Sequence, residues 1–260
     1  MKELLTGKVV LISGGTQGLG AGIARRAAAE GAAGVAVTGR NADSGERLAA
    51  ELENSGVKAR FIKTDLADVD QARNSVLETV SVFGRLDCAV NAAGLTTRGT
   101  MLDTTPELFD AHIAVNLKSP FFIMAETIRH LRERGAPGSI LNIISIAELG
   151  GQPYLAPYVA AKAGLAGATR NAAHAHRWDK IRINGLDIGW TDTEGEDAIQ
   201  RRFHDATDGW QAEAGASLPM GKLGQVDEIA DFVVFLLSDR SGVVTGSVID
   251  WDQHVVGGMD

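Results

Sequence analysis

The chain has 260 residues, 45% of them hydrophobic, and its formal net charge is −8. This apolar content is enough for a continuous core and excludes a chain that is disordered throughout. The acidic balance argues against nucleic acids and anionic membranes as partners, because both repel negative charge.

Membrane insertion and secretion are not indicated either. No apolar run approaches the roughly 20 residues that a membrane-spanning helix needs, and no leader-like apolar stretch precedes the first predicted strand. The single cysteine, Cys88, cannot form an intramolecular disulfide and lies in an apolar run typical of a buried position. We therefore expect a cytoplasmic protein.

Short apolar runs alternate with longer helical patterns along the chain. Strands are predicted at residues 9–13, 34–38, 59–63, 86–91, 139–144, 182–187 and 248–251, and helices near 18–30, 43–54, 68–83, 106–133, 155–178 and 226–237. Runs rich in Val and Ile are typical of strands buried on both faces, and the strand–helix–strand repetition implies right-handed crossovers. The sequence predicts an α/β fold: one Rossmann-type, doubly wound parallel sheet of about seven strands with helices on both faces, in a single domain over residues 1–260.

The segment 191–221 is the exception to this alternation. It is long, polar and contains glycine, and a connection of this length is more often a functional lid than a plain loop. We expect it to cover a substrate.

A glycine-rich turn follows the first predicted strand. Glycine permits positive φ and close approach of the backbone, and the next helix offers free N–H groups to a pyrophosphate. Glycines also make ordinary turns, but this position in a strand–helix–strand series favours a dinucleotide. The predicted binding residues are Gly14, Thr16, Gln17, Gly18, Leu19 and Gly20.

The end of the second strand bears on the choice of cofactor. An acid that would bind the ribose of NAD is expected here, but the sequence has Gly39, followed by Arg40 and Asn41. Arg40 could pair with a 2′-phosphate and stack on adenine, which favours NADP(H). NAD(H) stays open as an alternative, with Arg40 a solvated loop charge.

The end of the third strand carries Asp65 and Leu66. Asp65 could accept a hydrogen bond from the adenine amino group, with Leu66 beside it. The alternative is that Asp65 caps the helix predicted near 68–83.

Several segments, in order along nearly the whole chain, resemble motifs of the short-chain dehydrogenase/reductase family. These are Ser13 to Gly20, Asn91-Ala92-Ala93-Gly94, Asn116 in Val115-Asn116-Leu117, Ser145 after the fifth strand, and Tyr158-Val159-Ala160-Ala161-Lys162. The resemblance implies catalytic roles for Asn116, Ser145, Tyr158 and Lys162. It also implies cofactor contacts from Asn91, Ala92, Ala93, Gly94, Tyr158, Lys162, Gly189, Thr191 and Thr193.

Two segments depart from the family pattern. Ile188-Gly189 stands where Pro-Gly is usual, and Trp251-Asp252-Gln253-His254 stands where Val-Asp-Gly-Gly is frequent. Thr193 still matches the threonine that often binds the nicotinamide carboxamide. We expect the loop near the nicotinamide and the C-terminal segment to be reshaped.

Tyr158 and Lys162 are four residues apart on a predicted helix and so share one face. We expect the Lys162 ammonium to lower the pKa of Tyr158, so that the phenol exchanges a proton with an alcohol or a carbonyl. Ser145 could hydrogen-bond the same substrate oxygen. The resemblance further implies that Lys162 binds the nicotinamide ribose and that Asn116 holds a water connected to Lys162. The alternatives are an exposed Tyr158–Lys162 pair and a Ser145 that only caps a strand end.

The residues expected around the substrate are polar, with flat aromatic rings among them. The predicted contacts are Ser145, Glu148, Gln152, Tyr158, Trp190 and His204. Such a set suits a small sugar or polyol better than a steroid or a long acyl chain. The histidines show no metal-ligand pattern, and we expect no metal.

Two other functions stay open. One is reduction of a 3-oxoacyl thioester, for which Arg98, Arg201 and Arg202 could form a basic patch that binds an acidic carrier protein. The other is a catalytically silent sensor of NADP(H), against which the intact Ser145, Tyr158 and Lys162 argue.

The helical segments 106–133 and 155–178 are rich in apolar and small residues. Some of this surface could pack against another subunit, and the family resemblance implies a homotetramer. The C-terminal residues 255–260 could reach a neighbouring subunit.

Overall fold

The computed structural model describes residues 3–255 of the chain. It contains a sheet of seven strands in the order β3-β2-β1-β4-β5-β6-β7, and each neighbouring pair is parallel. The strands are β1 (Val9–Ser13), β2 (Gly34–Gly39), β3 (Lys58–Lys63), β4 (Cys88–Asn91), β5 (Gly138–Ile143), β6 (Ile181–Ile188) and β7 (Val248–Trp251). The predicted Rossmann-type parallel sheet is confirmed. Residues 256–260, expected to reach a neighbouring subunit, lie outside the described part of the chain.

Helices cover both faces of the sheet. They are α1 (Gly18–Ala29), α2 (Ala42–Asn54), α3 (Val69–Phe83), α4 (Pro106–Ile113), α5 (Ser119–Glu133), α6 (Ala156–His176), α7 (Glu194–Phe203), α8 (Trp210–Ala216) and α9 (Val226–Leu237). One apolar layer contains α1, α2 and α9, and the layers on the other face contain α3, α5 and α6. Within residues 3–255, no helix is long and apolar enough to cross a bilayer.

The five central strands, β1, β2, β4, β5 and β6, are buried on both faces, as their apolar runs predict, whereas the edge strands β3 and β7 are partly exposed. In β6, Leu186 packs with α1 and α9, while Ile181 and Ile183 pack with α5 and α6. Side chains alternate along a strand, so Asp187 belongs to the face that α6 covers. The Asp187 side chain therefore lies near the C-terminal end of β6. Ligands of such folds bind beyond the C-terminal ends of the strands.

The predicted long helix at 106–133 is interrupted. A π-helical turn, Ala114–Lys118, separates α4 from α5. Asn116, at its centre, is fully buried and bonds the backbone of Leu95 in a distant loop. Such turns often occur at functional sites, and this one presents Asn116 to the segment that follows β4.

The polar segment 191–221 is partly helical. Thr193 caps α7 by accepting a hydrogen bond from the Glu196 backbone N–H at 3.1 Å. The rings of Trp190 and Trp210 stack with their centroids 5.6 Å apart. The segment therefore has its own secondary structure and its own small aromatic contact.

The C-terminal part of the chain fastens the end of this segment. The side-chain amide of Gln253 accepts from the Met220 backbone N–H and donates to the Lys222 carbonyl, both at 2.7 Å. The oxygen and the nitrogen of the Gln253 side chain, just beyond β7, thus both bind the connection that leads into α9.

Candidate active site

The turn between β1 and α1 packs closely against the segment after β4. Gly14 has φ +72°, and a Cβ added there would lie 2.6 Å from the Ala93 Cα. A Cβ on Gly20 would lie 2.2 Å from the Gly14 carbonyl oxygen. Both positions require glycine, and the structure brings two of the predicted cofactor segments into contact.

Within the described part of the chain, no side chain caps the N-terminus of α1. Its N-cap, Gln17, makes no capping hydrogen bond, and the first turn of this 12-residue helix has no acidic residue. The backbone N–H groups near Gly18 and Leu19 are therefore available to an anion, with Thr16 in the preceding turn. The Thr193 side chain lies 3.6 Å from the position of a Cβ on Gly18. These residues fit a dinucleotide pyrophosphate, with the start of the 191–221 segment beside it.

The end of β2 leaves no room for an acidic side chain. A Cβ on Gly39 would lie 2.6 Å from Thr16 Cγ2. Arg40 is exposed. The Asn41 side chain caps α2 by accepting from the Ser44 backbone N–H at 3.1 Å. Of Gly39, Arg40 and Asn41, only Arg40 carries a positive charge, and its side chain is exposed.

The end of β3 shows which aspartate caps α3. That residue is Asp68, which accepts from the backbone N–H groups of Asp70 and Gln71. The alternative interpretation of Asp65 as that cap is wrong. Asp65 is exposed and accepts from the Ala67 N–H at 3.0 Å, and Leu66 is buried beside it.

The side chain of Asn91 is used inside the sheet. Ser13 donates to the Asn91 amide oxygen at 3.2 Å, and Asn91 donates to the Asn142 amide oxygen at 2.8 Å. Asn142 in turn donates to the Thr169 hydroxyl at 2.8 Å. This buried row holds the backbone from which Ala92, Ala93 and Gly94 follow. Ala92 and Ala93 are half-buried and Gly94 is exposed, at the edge where a cofactor would lie.

The predicted catalytic side chains come together above the ends of β5 and β6. Tyr158 and Lys162, one turn apart on α6, are 8% and 2% exposed. Lys162 Nζ donates to the Ile143 carbonyl at 2.7 Å and lies 5.6 Å from the centre of the Tyr158 ring. The alternative of an exposed helical pair is wrong.

Ser145 has two roles. It caps the 3₁₀ turn Ile146–Leu149, its hydroxyl accepting from the Ala147 N–H at 3.2 Å. The same side chain also acts on the Tyr158 phenol, where it favours the ionised form. Ser145 therefore caps the turn, as the alternative interpretation expects, and also lies beside Tyr158.

Burial dominates the electrostatics of this site. It raises the pKa of Tyr158 to about 12, with Ser145 opposing the rise. Burial also lowers the pKa of Lys162 to about 8, against the attraction of Asp187. The expectation that Lys162 holds the pKa of Tyr158 below its ordinary value is wrong for the protein alone, because desolvation penalises the phenolate more than its neighbours favour it.

The Asn116 side chain is hydrogen-bonded to the backbone of the segment after β4 and holds that segment in place. Its amide oxygen accepts from the Leu95 N–H at 2.8 Å, and its amide nitrogen donates to the Leu95 carbonyl at 2.9 Å. Both groups of the side chain are engaged, so the water that the family resemblance implies stays a prediction.

His112 belongs to the site, although the sequence pattern does not single it out. Its ring is fully buried and packs edge-on against the Tyr158 ring, with centroids 6.2 Å apart. Nε2 lies 3.0 Å from the Thr97 carbonyl, and burial lowers the pKa of His112. The one signal in the sequence is its spacing of four residues from Asn116.

Two of the predicted substrate residues lie in or beside the 191–221 segment. Trp190 is 36% exposed, and its indole N–H donates to Glu196 Oε1 at 2.9 Å. His204 Nε2 lies 3.1 Å from the Arg98 guanidinium, and its ring packs edge-on against Tyr154. These contacts join the segment to the loops after β4 and before α6.

Two further predicted substrate residues, Glu148 and Gln152, lie between β5 and α6. The Glu148 side chain is only 10% exposed and lies 3.9 Å from Arg170 of α6. Gln152 is half-buried in the connection before α6. Glu148 is therefore less available to a substrate than the sequence predicts.

The two departures from the family pattern meet in space. A Cβ on Gly189 would lie 1.7 Å from Asp252 Oδ1. Thr191 donates its hydroxyl to the Gly189 carbonyl at 3.0 Å, and His254 Nδ1 lies 2.5 Å from Asp252 Oδ2. The C-terminal segment thus shapes the loop expected to lie near the nicotinamide.

Fold and site define an oxidoreductase that uses a nicotinamide cofactor, and comparison with known proteins gives the family. A family model described as Enoyl-(Acyl carrier protein) reductase matches residues 14–257. An "Uncharacterized oxidoreductase" of Thermotoga maritima is 35% identical, over 95% of this chain and 96% of its own length. A 3-oxoacyl-[acyl-carrier-protein] reductase of Staphylococcus aureus is 32% identical, over 97% of this chain and 98% of its own length.

A solved structure is similar over its full length. It is a crystal structure of a protein assigned as a short-chain alcohol dehydrogenase from Sinorhizobium meliloti 1021, with a TM-score of 0.89, 30% identity, and 100% of both chains covered. The chain belongs to the short-chain dehydrogenase/reductase family.

Proposed function

We propose that this oxidoreductase interconverts a secondary alcohol and a carbonyl on a sugar or polyol, with NADP(H) as the preferred cofactor. The observation that carries the substrate class is the charge around the phenol. Glu196 of α7 raises the pKa of Tyr158 and Arg98 lowers it, so both charged side chains act at the phenol. With the ring of Trp190 hydrogen-bonded to Glu196, such polar and aromatic surroundings suit a small hydroxylated substrate.

In this proposal the chain's own residues bind and orient the reactants. The bound nicotinamide supplies or accepts the hydride. Tyr158 donates a proton to the carbonyl oxygen or accepts one from the alcohol, and Ser145 hydrogen-bonds the same oxygen. Lys162, held by the Ile143 carbonyl, places a positive charge under the phenol and orients the ribose.

The preference for NADP(H) rests on the end of β2. Thr16 occupies the space that an acidic side chain at position 39 would need. The exposed Arg40 follows directly and can form charge-assisted hydrogen bonds with a 2′-phosphate.

A second candidate is reduction of a 3-oxoacyl thioester, favoured by the similarity to the Staphylococcus aureus reductase. The basic patch that would attract an acidic carrier is partly neutralised, however. Arg201 pairs with Asp197 and Asp208, whereas Arg98 keeps its charge beside His204. We therefore place this activity second.

A homotetramer is part of the proposal. The surface between α5 and α6 is a groove whose lining combines apolar side chains, among them Phe121, Met124, Ile128 and Ala168, with charged ones such as Arg129, Arg132 and Glu133. Phe121 is 50% exposed in the single chain. Such a patch is typical of a subunit interface, and a monomer in analytical ultracentrifugation would exclude this. The cytoplasmic location stays a prediction.

The deciding experiment is a substrate panel with both cofactors, following the absorbance of the reduced nicotinamide. The panel contains aldoses, polyols, simple secondary alcohols and, in the reverse direction, a 3-oxoacyl thioester. Turnover of a sugar or polyol that Tyr158→Phe abolishes supports the proposal. Turnover of the thioester alone would reverse the order of the two candidates.

A further inference from the structure

His112 is a buried histidine in the last turn of α4, and the proposed chemistry gives it no role. Its side chain is fully buried, and both ring nitrogens face polar groups. Nε2 lies 3.0 Å from the Thr97 carbonyl oxygen, and Nδ1 lies 3.2 Å from the side-chain nitrogen of Asn116. The hydrogen bond that one ring nitrogen makes determines which nitrogen carries the proton, so these neighbours define the state of the imidazole.

The backbone of Leu95 fixes the orientation of the Asn116 amide and, through it, the tautomer of His112. The Leu95 N–H can only donate, so the Asn116 atom that accepts it at 2.8 Å is the amide oxygen. The amide nitrogen then faces the Leu95 carbonyl, at 2.9 Å, and His112 Nδ1. An amide nitrogen only donates, so Nδ1 accepts.

The second nitrogen of His112 completes the assignment. The Thr97 carbonyl only accepts, so Nε2 carries the ring proton and donates it. His112 is therefore a neutral Nε2–H imidazole. Burial lowers the pKa of His112 and favours the same neutral form.

The ring of His112 packs on Tyr158. The centroids of the two rings are 6.2 Å apart and the rings are inclined at 81°, the edge-on geometry that aromatic pairs prefer. Tyr158 is 8% exposed, and Lys162 Nζ lies 5.6 Å from the centre of its ring. The acid/base of the proposed reaction thus contacts a side chain whose own position is set by two hydrogen bonds.

His112 therefore connects two parts of the site. Its nitrogens bind the loop after β4, directly at Thr97 and through Asn116, and its ring contacts Tyr158 of α6. The place of the phenol relative to this loop, beside which the cofactor is expected, depends on that connection. A displacement of about 1 Å at a reacting centre can lower a rate by about 10²-fold.

We propose that His112 is a positioning residue for Tyr158: as a neutral Nε2–H imidazole bound at both nitrogens, it holds the Tyr158 ring at a fixed place relative to the loop after β4. The proposal rests on the proposed function, in which Tyr158 exchanges the proton with the substrate. His112 takes no part in proton transfer, since both its nitrogens are bound within the protein.

The first test needs no substrate. In the full-length protein labelled with ¹⁵N in the histidine rings, the two ring nitrogens of a neutral imidazole give separate signals that show which of them carries the proton. The His112 signals are those lost in His112→Gln. We expect the Nε2–H form near neutral pH, with the N–H proton visible because burial and the bond to Thr97 slow its exchange with water. An Nδ1–H or doubly protonated ring overturns the proposal.

The second test is a double-mutant cycle on kcat, measured with NADP⁺ and the panel compound that the wild type turns over fastest. His112→Phe keeps a flat ring against Tyr158 and removes both hydrogen bonds, and we expect it to lower kcat by about 10- to 100-fold with little change in KM for NADP⁺. In the Tyr158→Phe background the same substitution should have no further effect, because a residue that acts through Tyr158 then has nothing to position. Equal losses in both backgrounds indicate a merely structural role and overturn the proposal.

His130→Gln is the matched control. His130 Nε2 also accepts a hydrogen bond within the protein, from the Leu86 N–H at 3.1 Å, but Leu86 precedes β4 at the edge of the sheet opposite the site. We expect this control to keep the wild-type kcat, and a loss equal to that of His112→Phe would overturn the proposal. If His112→Phe does not fold, His112→Gln takes its place in the cycle, since its amide can donate to Thr97 and accept from Asn116 but has no ring.

The outcomes separate the two proposals. Full turnover by Tyr158→Phe overturns the proposed function, and the ¹⁵N signals then still decide whether His112 is bound at both nitrogens. An Nε2–H ring whose substitution lowers kcat equally in both backgrounds overturns the positioning role of His112 and leaves the proposed function standing.

Discussion

Lys162 Nζ lies 5.6 Å from the centre of the Tyr158 ring while donating to the Ile143 carbonyl at 2.7 Å. The ammonium therefore sits beneath the ring and is tied to the sheet. Burial raises the pKa of Tyr158 to about 12 in this arrangement, so the phenol of the cofactor-free protein is protonated at neutral pH.

This state can be measured by ultraviolet titration of the phenolate. The difference between wild type and Tyr158→Phe isolates Tyr158, since the only other tyrosine is Tyr154. We expect a midpoint near the raised pKa of about 12 without cofactor. Oxidised cofactor should move the midpoint to lower pH, because the positive nicotinamide ring favours a phenolate nearby. A midpoint below the ordinary tyrosine value of about 10 without cofactor would contradict the dominance of burial.

Removing the phenol hydroxyl should stop proton exchange with the substrate. We expect Tyr158→Phe to lower kcat by about 10²–10⁴, the usual contribution of a positioned acid or base. Cofactor affinity, measured by fluorescence of the reduced nicotinamide, should change little. A variant that keeps wild-type kcat while binding the cofactor normally would exclude Tyr158 as the acid/base.

The glycine turn offers a test of cofactor binding by shape alone. A methyl group at Gly20 would lie 2.2 Å from the Gly14 carbonyl oxygen, so Gly20→Ala must displace the turn and weaken cofactor binding. We expect a loss of about tenfold or more, as each 1.4 kcal/mol of distortion costs one factor of ten.

Gly167→Ala is the control for that substitution. A methyl group on this exposed glycine of α6 would meet open space. Alanine is the better helix former by about 0.5–1 kcal/mol, so the control should bind cofactor normally and melt no earlier than wild type. Equal losses in both variants would indicate general damage to the protein.

Cofactor preference should depend on Arg40. We expect Arg40→Ala to weaken NADP⁺ binding by about 10- to 100-fold, the value of hydrogen bonds to a charged group, with little change for NAD⁺. Equal affinity of wild type and Arg40→Ala for NADP⁺ would show that the Arg40 side chain does not contact the cofactor.

Gly39→Asp should not by itself convert the protein to an NAD⁺ enzyme. Its Cβ would lie 2.6 Å from Thr16 Cγ2. We expect the double variant Thr16→Gly, Gly39→Asp to bind NAD⁺ more tightly than Gly39→Asp does. Isothermal titration calorimetry of the two variants checks this, and equal affinities would contradict the steric conflict.

The carboxyl group of Asp187 is 1% exposed and bonds no residue that the structure describes, and it should reduce stability at high pH. Its pKa, raised to about 7 by burial and by the nearby acids, exceeds the unfolded value of about 3.9, so the unfolding free energy falls as the pH rises through this window. Asp187→Asn should therefore melt several degrees higher than wild type at pH 8, since 1 kcal/mol shifts the Tm of chains near this size by about 2–4 °C. Near pH 4 the gap should close. A variant that melts lower at pH 8 would show that the carboxylate has partners.

The alternation of apolar runs predicts all seven strands of the sheet. The five central strands are buried on both faces and need continuous Val, Ile, Leu and Ala, and the partly exposed edge strands β3 and β7 still contain short apolar runs. It does not predict the π-helical turn Ala114–Lys118, whose position depends on the bond from Asn116 to Leu95 in a loop distant in sequence. It also misses α7, although Thr193-x-x-Glu196 has the spacing of a helix-capping box. The segment 191–221 is predicted as a polar loop because it lacks an apolar pattern, although its sequence contains this helix-start motif.

For the site, local motifs place Ser145, Tyr158 and Lys162 correctly because each occupies a fixed position on a strand end or a helix face. The environment of these residues is not local. The raised pKa of Tyr158, the contact with His112 and the buried charge of Asp187 arise from segments joined only by folding.

The buried row of Ser13, Asn91 and Asn142 has a consequence for folding. These residues are direct register partners on β1, β4 and β5. A two-residue slip of such apolar parallel strands would keep the same faces inward, but it would set the Asn91 amide against an isoleucine, Ile140 or Ile144. Each buried amide left unpaired in this way costs about 1–3 kcal/mol. The polar row therefore selects the correct alignment from alignments that apolar burial alone could hardly distinguish, before any ligand is bound.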